Sequence, residues 1–134
     1  MKDNWKERIQ KVLGTDDERC ARNAERWRAH LIKELPLPLS VTGIEDFPWE
    51  ERYVMGGWDK LEYEQLKKTN PSYTDVYELL DIAPPDDHDD LGAKIKRLSD
   101  NKIFQLRLSW LRTLKNKEPV YTILNDYSVW HCNY

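Results

Sequence analysis

Cysteine is scarce in this chain: Cys20 and Cys132, near opposite ends, are the only two. No multi-cysteine framework can therefore supply the stability. A single 20–132 bridge is open, and free thiols in a reducing, cytoplasmic compartment are the simpler expectation. Long apolar runs are missing as well. No stretch approaches the ~18 apolar residues of a membrane span, and the N-terminal residues mix Lys, Asp and Glu where an export signal needs an apolar segment. Histidine is limited to His30, His88 and His131, so a soft-metal cluster of thiolates and imidazoles lacks spaced ligands. His131 adjoins Cys132, but neighbouring residues in a helix or strand point in different directions. Gly56-Gly57 is followed by Trp58-Asp59, without the Lys-Ser/Thr that a phosphate loop requires, and reads as a tight turn. With no nucleophile elbow either, the chain is expected not to be an enzyme.

What is present is aromatic side chain and charge. Six Trp and seven Tyr among 134 residues bury much area each, so one core over residues 1–134 can form without staples. The net charge of −3 is unevenly spread. Residues 41–90 carry four basic and fourteen acidic residues, net −10, between flanks of +2 and +5. Such a middle third repels phosphate backbones and attracts cations if its acids converge. The basic set Lys94, Lys96, Arg97, Lys102 and Arg107 reads as a solvated sheet face rather than a nucleic-acid surface.

Trp5, Ile9 and Val12 recur at helical spacing, which predicts a helix over 3–13 ending near Gly14. Thr15-Asp16-Asp17-Glu18 reads as a capping box opening a second helix with the stripe Ala24, Trp27, Leu31, stopped before Leu35-Pro36. Residues 36–48 are expected as an extended edge or wrapping connector. Short strands are expected over Glu51–Met55 and Leu61–Glu64, and a turn at Asn70-Pro71-Ser72. Residues 73–82 are rich in strand formers, with a short helix as the other reading. Pro84 to Asp90 must be a loop. Ala93 and Ile95, then Phe104, Leu106, Leu108 and Trp110, alternate with polar residues, a hairpin turning at 99–101. Val120, Ile123, Leu124, Tyr127 and Trp130 close the chain with a helix entered at Pro119. Trp27, Trp110 and Trp130 are expected in the core, whereas Trp49 and Trp58 flank the acidic middle and one of them roofs a site or is exposed. The fold class is α+β, helices at both ends packed on a small antiparallel, barrel-like sheet, with an SH3-like barrel as one form it could take.

The acids suggest a hard cation. Calcium takes six to eight oxygen ligands, and crowded carboxylates repel one another until a divalent ion joins them. Asp86, Asp87, Asp89 and Asp90 are one local source, and Asp46, Glu50 and Glu51 another. The pattern is not an EF-hand. With Asp87 at position 1, Asp89 falls at position 3 and Gly92 at 6, but Leu91 takes position 5 and Leu98 position 12, where a bidentate glutamate belongs. The residues leave three readings open: calcium binding, a solubilising turn, or an acidic module that docks a basic protein partner.

Several segments, Trp27-Arg28-Ala29-His30-Leu31 leading into Leu35-Pro36-Leu37-Pro38-Leu39, then Phe47-Pro48-Trp49-Glu50-Glu51 and the closing Asn125-Asp126-Tyr127-Ser128-Val129-Trp130, give the chain a family likeness. In order and composition it resembles the small, non-EF-hand calcium-binding proteins of cyanobacteria. The resemblance implies an α+β domain with a compact barrel-like sheet, and reversible Ca2+ binding that buffers or sequesters cytosolic calcium in a filamentous, differentiating cell. The chain is expected to be a monomer that works with calcium ions and a regulatory protein partner, away from nucleic acid and membrane. The resemblance does not assign ligands position by position. Asp126, in the terminal helix, is read as a structural hydrogen-bonding residue to backbone or tyrosine, with a ligand role as the lesser reading.

Overall fold

A computed structural model describes residues 4–56, 59–114 and 118–134. The first helix, α1 (Trp5–Leu13), buries Ile9 and Leu13 and stops at Gly14. The φ of 73° at Gly14 lies in the left-handed region that a Cβ disfavours. Helix α2 (Ala21–Glu34) begins later than its capping box suggests. The Asn23 side-chain amide donates to the carbonyls of Asp16 at 3.0 Å and Glu18 at 2.8 Å, holding the preceding residues as a loop, so the Thr15 box does not form. Ala24, Trp27 and Leu31 are buried as their stripe demands.

Five strands form one antiparallel sheet: β1 (Leu39–Gly43), β2 (Val76–Pro85), β3 (Leu91–Arg97), β4 (Ile103–Arg107) and β5 (Leu111–Thr113). Their order is β4-β3-β2-β1-β5, and the edges do not meet. The barrel expectation is therefore corrected. A barrel fills its interior with its own inward side chains, whereas here the buried side chains of β2 and β3, among them Tyr77, Leu79, Ile82, Ala93 and Ile95, share their core with Trp27, Leu31, Leu124, Tyr127 and Trp130 of the helices. Helices α2 and α5 (Val120–Asn133) cover that face, and no closure is needed to hide it. The proline-rich connector contributes β1, which lies between β2 and β5 rather than at an edge. Pro36 and Pro38 precede the paired residues and cost the ladder no donor. Strand β2 settles the ambiguity of residues 73–82. A register shift between Leu79 and Asp81 inserts one residue, so Tyr77, Leu79 and Ile82 all face inward although their spacing is two and then three. The strand also runs on through Pro84 and Pro85, which the sequence placed in the loop. The β3–β4 hairpin forms and turns at Asn101, φ 61°, but its second strand stops at Arg107 rather than running to Trp110: Leu108–Trp110 make a 3₁₀ turn, which leaves Trp110 half-buried against the core instead of inside it.

The segments Glu51–Met55 and Leu61–Glu64 are helical, not extended. A 3₁₀ turn (Pro48–Glu50) leads into α3 (Glu51–Gly56), and α4 spans Lys60–Thr69. The Asp59 carboxylate accepts from the amides of Leu61 at 2.9 Å and Glu62 at 3.3 Å, a true N-cap. The Lys-Leu-Glu-Tyr-Glu-Gln-Leu run that follows consists mainly of helix formers. Alternation over four residues was too short to outweigh them. Gly57 and Trp58 lie outside the described residues.

Candidate functional site

Glu50 is placed by the 3₁₀ turn and is fully buried. Its Oε2 accepts from the amides of Phe47 and Tyr73, each at 3.0 Å. Its Oε1 accepts from the hydroxyls of Tyr63 at 2.7 Å and Ser72 at 2.5 Å. Burial first, and the bond to Glu50 second, push the Tyr63 hydroxyl far above the ordinary phenol range. Tyr63 stacks on Tyr53 at 5.3 Å, and Trp49 sits beside both while its indole N–H donates to the Pro71 carbonyl at 2.7 Å. Every strong direction around this carboxylate is taken, and it ties α3, α4 and the 70–75 turn together.

Asp86 to Asp90 close on themselves. The Asp86 Oδ1 accepts from the amides of His88 at 2.7 Å and Asp90 at 3.1 Å, while its Oδ2 faces the Arg107 guanidinium at 3.3 Å. Partial burial raises the Asp86 carboxyl, but those amides and Arg107 outweigh it and hold it below the usual range. Asp89 adopts φ 61° at the tip. Asp90 is buried, accepting from the hydroxyls of Tyr127 at 2.7 Å and Ser109 at 2.5 Å. The Tyr127 oxygen in turn accepts from the Leu91 amide at 2.8 Å. Asp87 is nearly fully exposed and its carboxylate lies 3.9 Å from the His88 ring.

Asp46 and Glu51 belong to a different place, a cleft of about 390 Å³ that Glu45 also lines. Among the described residues none of these three carboxylates has a hydrogen bond or ion pair. Phe47 and Trp110, ring centroids 5.3 Å apart, contribute aromatic surface, and Arg107, Ser109 and His131 contribute polar groups. Those three are held from behind by the acidic loop: Arg107 by Asp86, Ser109 by Asp90, and His131 through a 3.1 Å contact of its Nε2 with the His88 carbonyl. Ser128 lines the same cleft with a buried hydroxyl that has no partner among the described residues. The Ser109 hydroxyl points at a carboxylate rather than an imidazole, so it lacks the base that would activate a nucleophile.

The seven acids nominated from sequence thus fall into separate sets. Asp46 and Glu51 share a cleft; Asp86, Asp87, Asp89 and Asp90 share a loop; Glu50 stands apart in its own network. Among the described residues no group of three His, Cys, Asp or Glu side chains converges closely enough to hold a metal ion. The present arrangement is not a preformed calcium cage. Sequence reasoning missed Glu45, the hydroxyl donors Tyr63, Ser72, Ser109 and Tyr127, and Arg97. Arg97 is no surface residue: it is buried, donating to Asp75, Asp100 and the carbonyls of Lys67, Lys68 and Asn70 that end α4. Its parity with Ala93 and Ile95 was the available signal. Asp126 is structural, but its partner is Arg8, paired to both oxygens at 2.6 and 3.0 Å, rather than backbone or tyrosine.

An open five-stranded sheet with helices on one face defines a small two-layer α+β protein, and solved structures share that arrangement over nearly the whole chain. The crystal structure of Anabaena CcbP is similar with a TM-score of 0.61 and 16% identity, covering 97% of this chain and 91% of that one. A calcium binding protein in the calcium-binding form gives a TM-score of 0.62 and 17% identity, covering 98% and 91%. The likeness establishes the shared fold. No family model and no curated protein sequence matches the chain. None of the described helices is long and apolar enough to cross a membrane.

Proposed function

We propose that this protein binds calcium reversibly through carboxylate and backbone oxygens, with Glu45, Asp46 and Glu51 at the cleft as its principal acids. One observation carries the reading: three carboxylates share a cleft with no cation or donor paired to them among the described residues, in a fold shared with a calcium binding protein. Unpaired like charges on one cleft cost free energy that a dication offsets. Oxygen donors suit a hard cation, which completes its shell with water where protein oxygens are few. Asp87 and Asp89, at the exposed tip of the loop, lie outside that cleft. Glu50, Asp86 and Asp90 serve in this reading as frame, because their oxygens already accept from protein donors. The setting that goes with it is a cytoplasmic monomer with free thiols, taking up and releasing calcium as a buffer.

Titration calorimetry on metal-stripped protein tests this. Calcium should give saturable heat that survives excess magnesium. Asp46→Asn with Glu51→Gln should weaken binding about tenfold or more, while Asp87→Asn with Asp89→Asn should leave it nearly unchanged. Absence of saturable heat would overturn the function. Loss that follows only the loop pair would move the site.

A further inference from the structure

Strand β4 ends the sheet, with β3 on one side and no strand on the other. The register fixes which way its backbone faces. The Arg97 amide donates to the Lys102 carbonyl at 2.8 Å, and the pairs Ile95–Phe104 and Ala93–Leu106 follow at two-residue steps. The main-chain groups of Phe104 and Leu106 therefore point to β3. Those of Ile103 and Gln105, and the Arg107 amide, point away from it, and among the described residues none of them meets a main-chain or side-chain partner. Open sheet edges are commonly guarded by a proline, a bulge or an inward-pointing charge. Strand β4 has no proline, and its register with β3 runs without a shift. Phe104 and Leu106 on its core face are half-buried, and Ile103 on its outer face is 51% exposed. The edge offers both the hydrogen bonds and the apolar surface that strand addition uses.

Charge selects what pairs there. Strands β3 and β4 contain no Asp or Glu. Lys94 and Lys96 lie opposite Gln105 and Ile103 on the outer face, and Lys102 and Arg107 stand at the two ends of β4. Lys96, Lys102 and Arg107 have acids of this chain at 3.4, 3.8 and 3.3 Å. Lys94 has no ion pair among the described residues. A second copy set antiparallel on β4 would bring Lys102 of one chain beside Arg107 of the other, a like-charge approach that opposes pairing.

We propose that the β4 edge receives an extended segment of a partner protein in which apolar and acidic residues alternate. Its main chain pairs with Ile103, Gln105 and Arg107, its apolar residues cover Phe104 and Leu106, and an acid on its other face reaches across Gln105 to Lys94. Strand β4 shares only Arg107 with the acidic cleft, and the proposal does not depend on the calcium reading.

The test titrates the full 15N-labelled chain, in calcium-free buffer, with a capped Thr-Val-Glu-Val-Glu-Val-Thr peptide and with its Lys-for-Glu counterpart. The acidic peptide should shift the Ile103, Gln105 and Arg107 amides saturably, slow their exchange with solvent, and bind several-fold more tightly than the basic one. Gln105→Pro removes an outward N–H without touching the ladder to β3 and should abolish binding. Lys94→Gln, at an exposed position, serves if the proline variant does not fold, and should weaken the acidic peptide about 2- to 5-fold. Edge amides that stay still, or a folded Gln105→Pro chain that binds as tightly as the parent, overturn strand addition. Equal affinity for the two peptides, or an acidic-peptide affinity untouched by Lys94→Gln, overturns the acidic occupant. Edge shifts that grow with protein concentration alone give the edge to a second copy and overturn the partner segment.

Discussion

Replacing Glu50 separates a structural carboxylate from a cation ligand, and the structure sets the size of the effect. Glu50→Ala takes the acceptor from four donors at once. Two of them can recover: the Ser72 hydroxyl already lies 2.9 Å from the Thr74 hydroxyl, and the half-buried Tyr63 can turn toward water. The amides of Phe47 and Tyr73 are fixed by the backbone. Each buried amide left without an acceptor costs about 1–3 kcal/mol, so the pair costs about 2–6 kcal/mol before any cavity term. Against a total stability of about 5–15 kcal/mol, that is a large fraction. Glu50→Gln behaves differently. Its carbonyl oxygen can serve both amides, and its NH2 can donate to hydroxyls that reverse their roles, so the loss should stay within about 1–2 kcal/mol. Equilibrium urea unfolding measures both, with coincident fluorescence and circular-dichroism transitions as the two-state check. Calcium affinity of the Gln variant should match the parent. A Gln variant as unstable as Ala, or an Ala variant within about 1 kcal/mol of the parent, would refute the idea that this carboxylate works by accepting from fixed amides.

Asp100 makes a prediction about pH. Its hydrogen bond from Arg97 comes first, opposed by partial burial and aided by the Lys102 amide, and its carboxyl is lowered to about 2. A lowered folded-state value means stability that is present above the unfolded pKa near 3.9 and is lost as pH falls toward 2. The stability gap between parent and Asp100→Asn should therefore be full above about pH 5 and shrink between pH 4 and 2, as acid-titrated unfolding will show; a constant gap would contradict it. Gly43→Ala addresses packing: a Cβ there would lie 2.6 Å from Tyr73 Cα, and the Gly43 amide bonds the Tyr73 carbonyl at 3.1 Å. Because backbone rather than a flexible tip stands in the way, the variant should lose ~2 kcal/mol or more and melt about 5–10 °C lower, and an unchanged melting curve would contradict the close approach.

The helices at both ends and the β3–β4 hairpin were legible in the residues, because their apolar stripes run long enough for the period to be unambiguous. The 73–82 strand was only half legible, since the extra residue at Leu80 breaks its alternation and a bulge leaves no mark of its own in composition. Helices α3 and α4 were misread for want of length, although Asp59 before a helix-forming run, and Pro48 with Glu50 two residues on, were local start signals. The closed sheet was an inference about how faces are covered, which depends on helix packing that no local pattern encodes. At the candidate site, charge density located the acids but could not show which of them are spent. Glu50 and Asp90 find donors such as Ser72 and Ser109, 22 and 19 residues away in the chain, and only the fold reveals that their oxygens are occupied.

The most direct test of the account follows backbone amide resonances of metal-stripped protein as calcium is added. Saturable shifts are expected, centred on Ile44 to Arg52 and absent with equimolar magnesium, while the His88 and Asp90 amides that bond Asp86, and the Tyr73 amide that bonds Glu50, keep their positions in the spectrum. A spectrum that calcium leaves unmoved, or shifts confined to residues far from Glu45, Asp46 and Glu51, would contradict it.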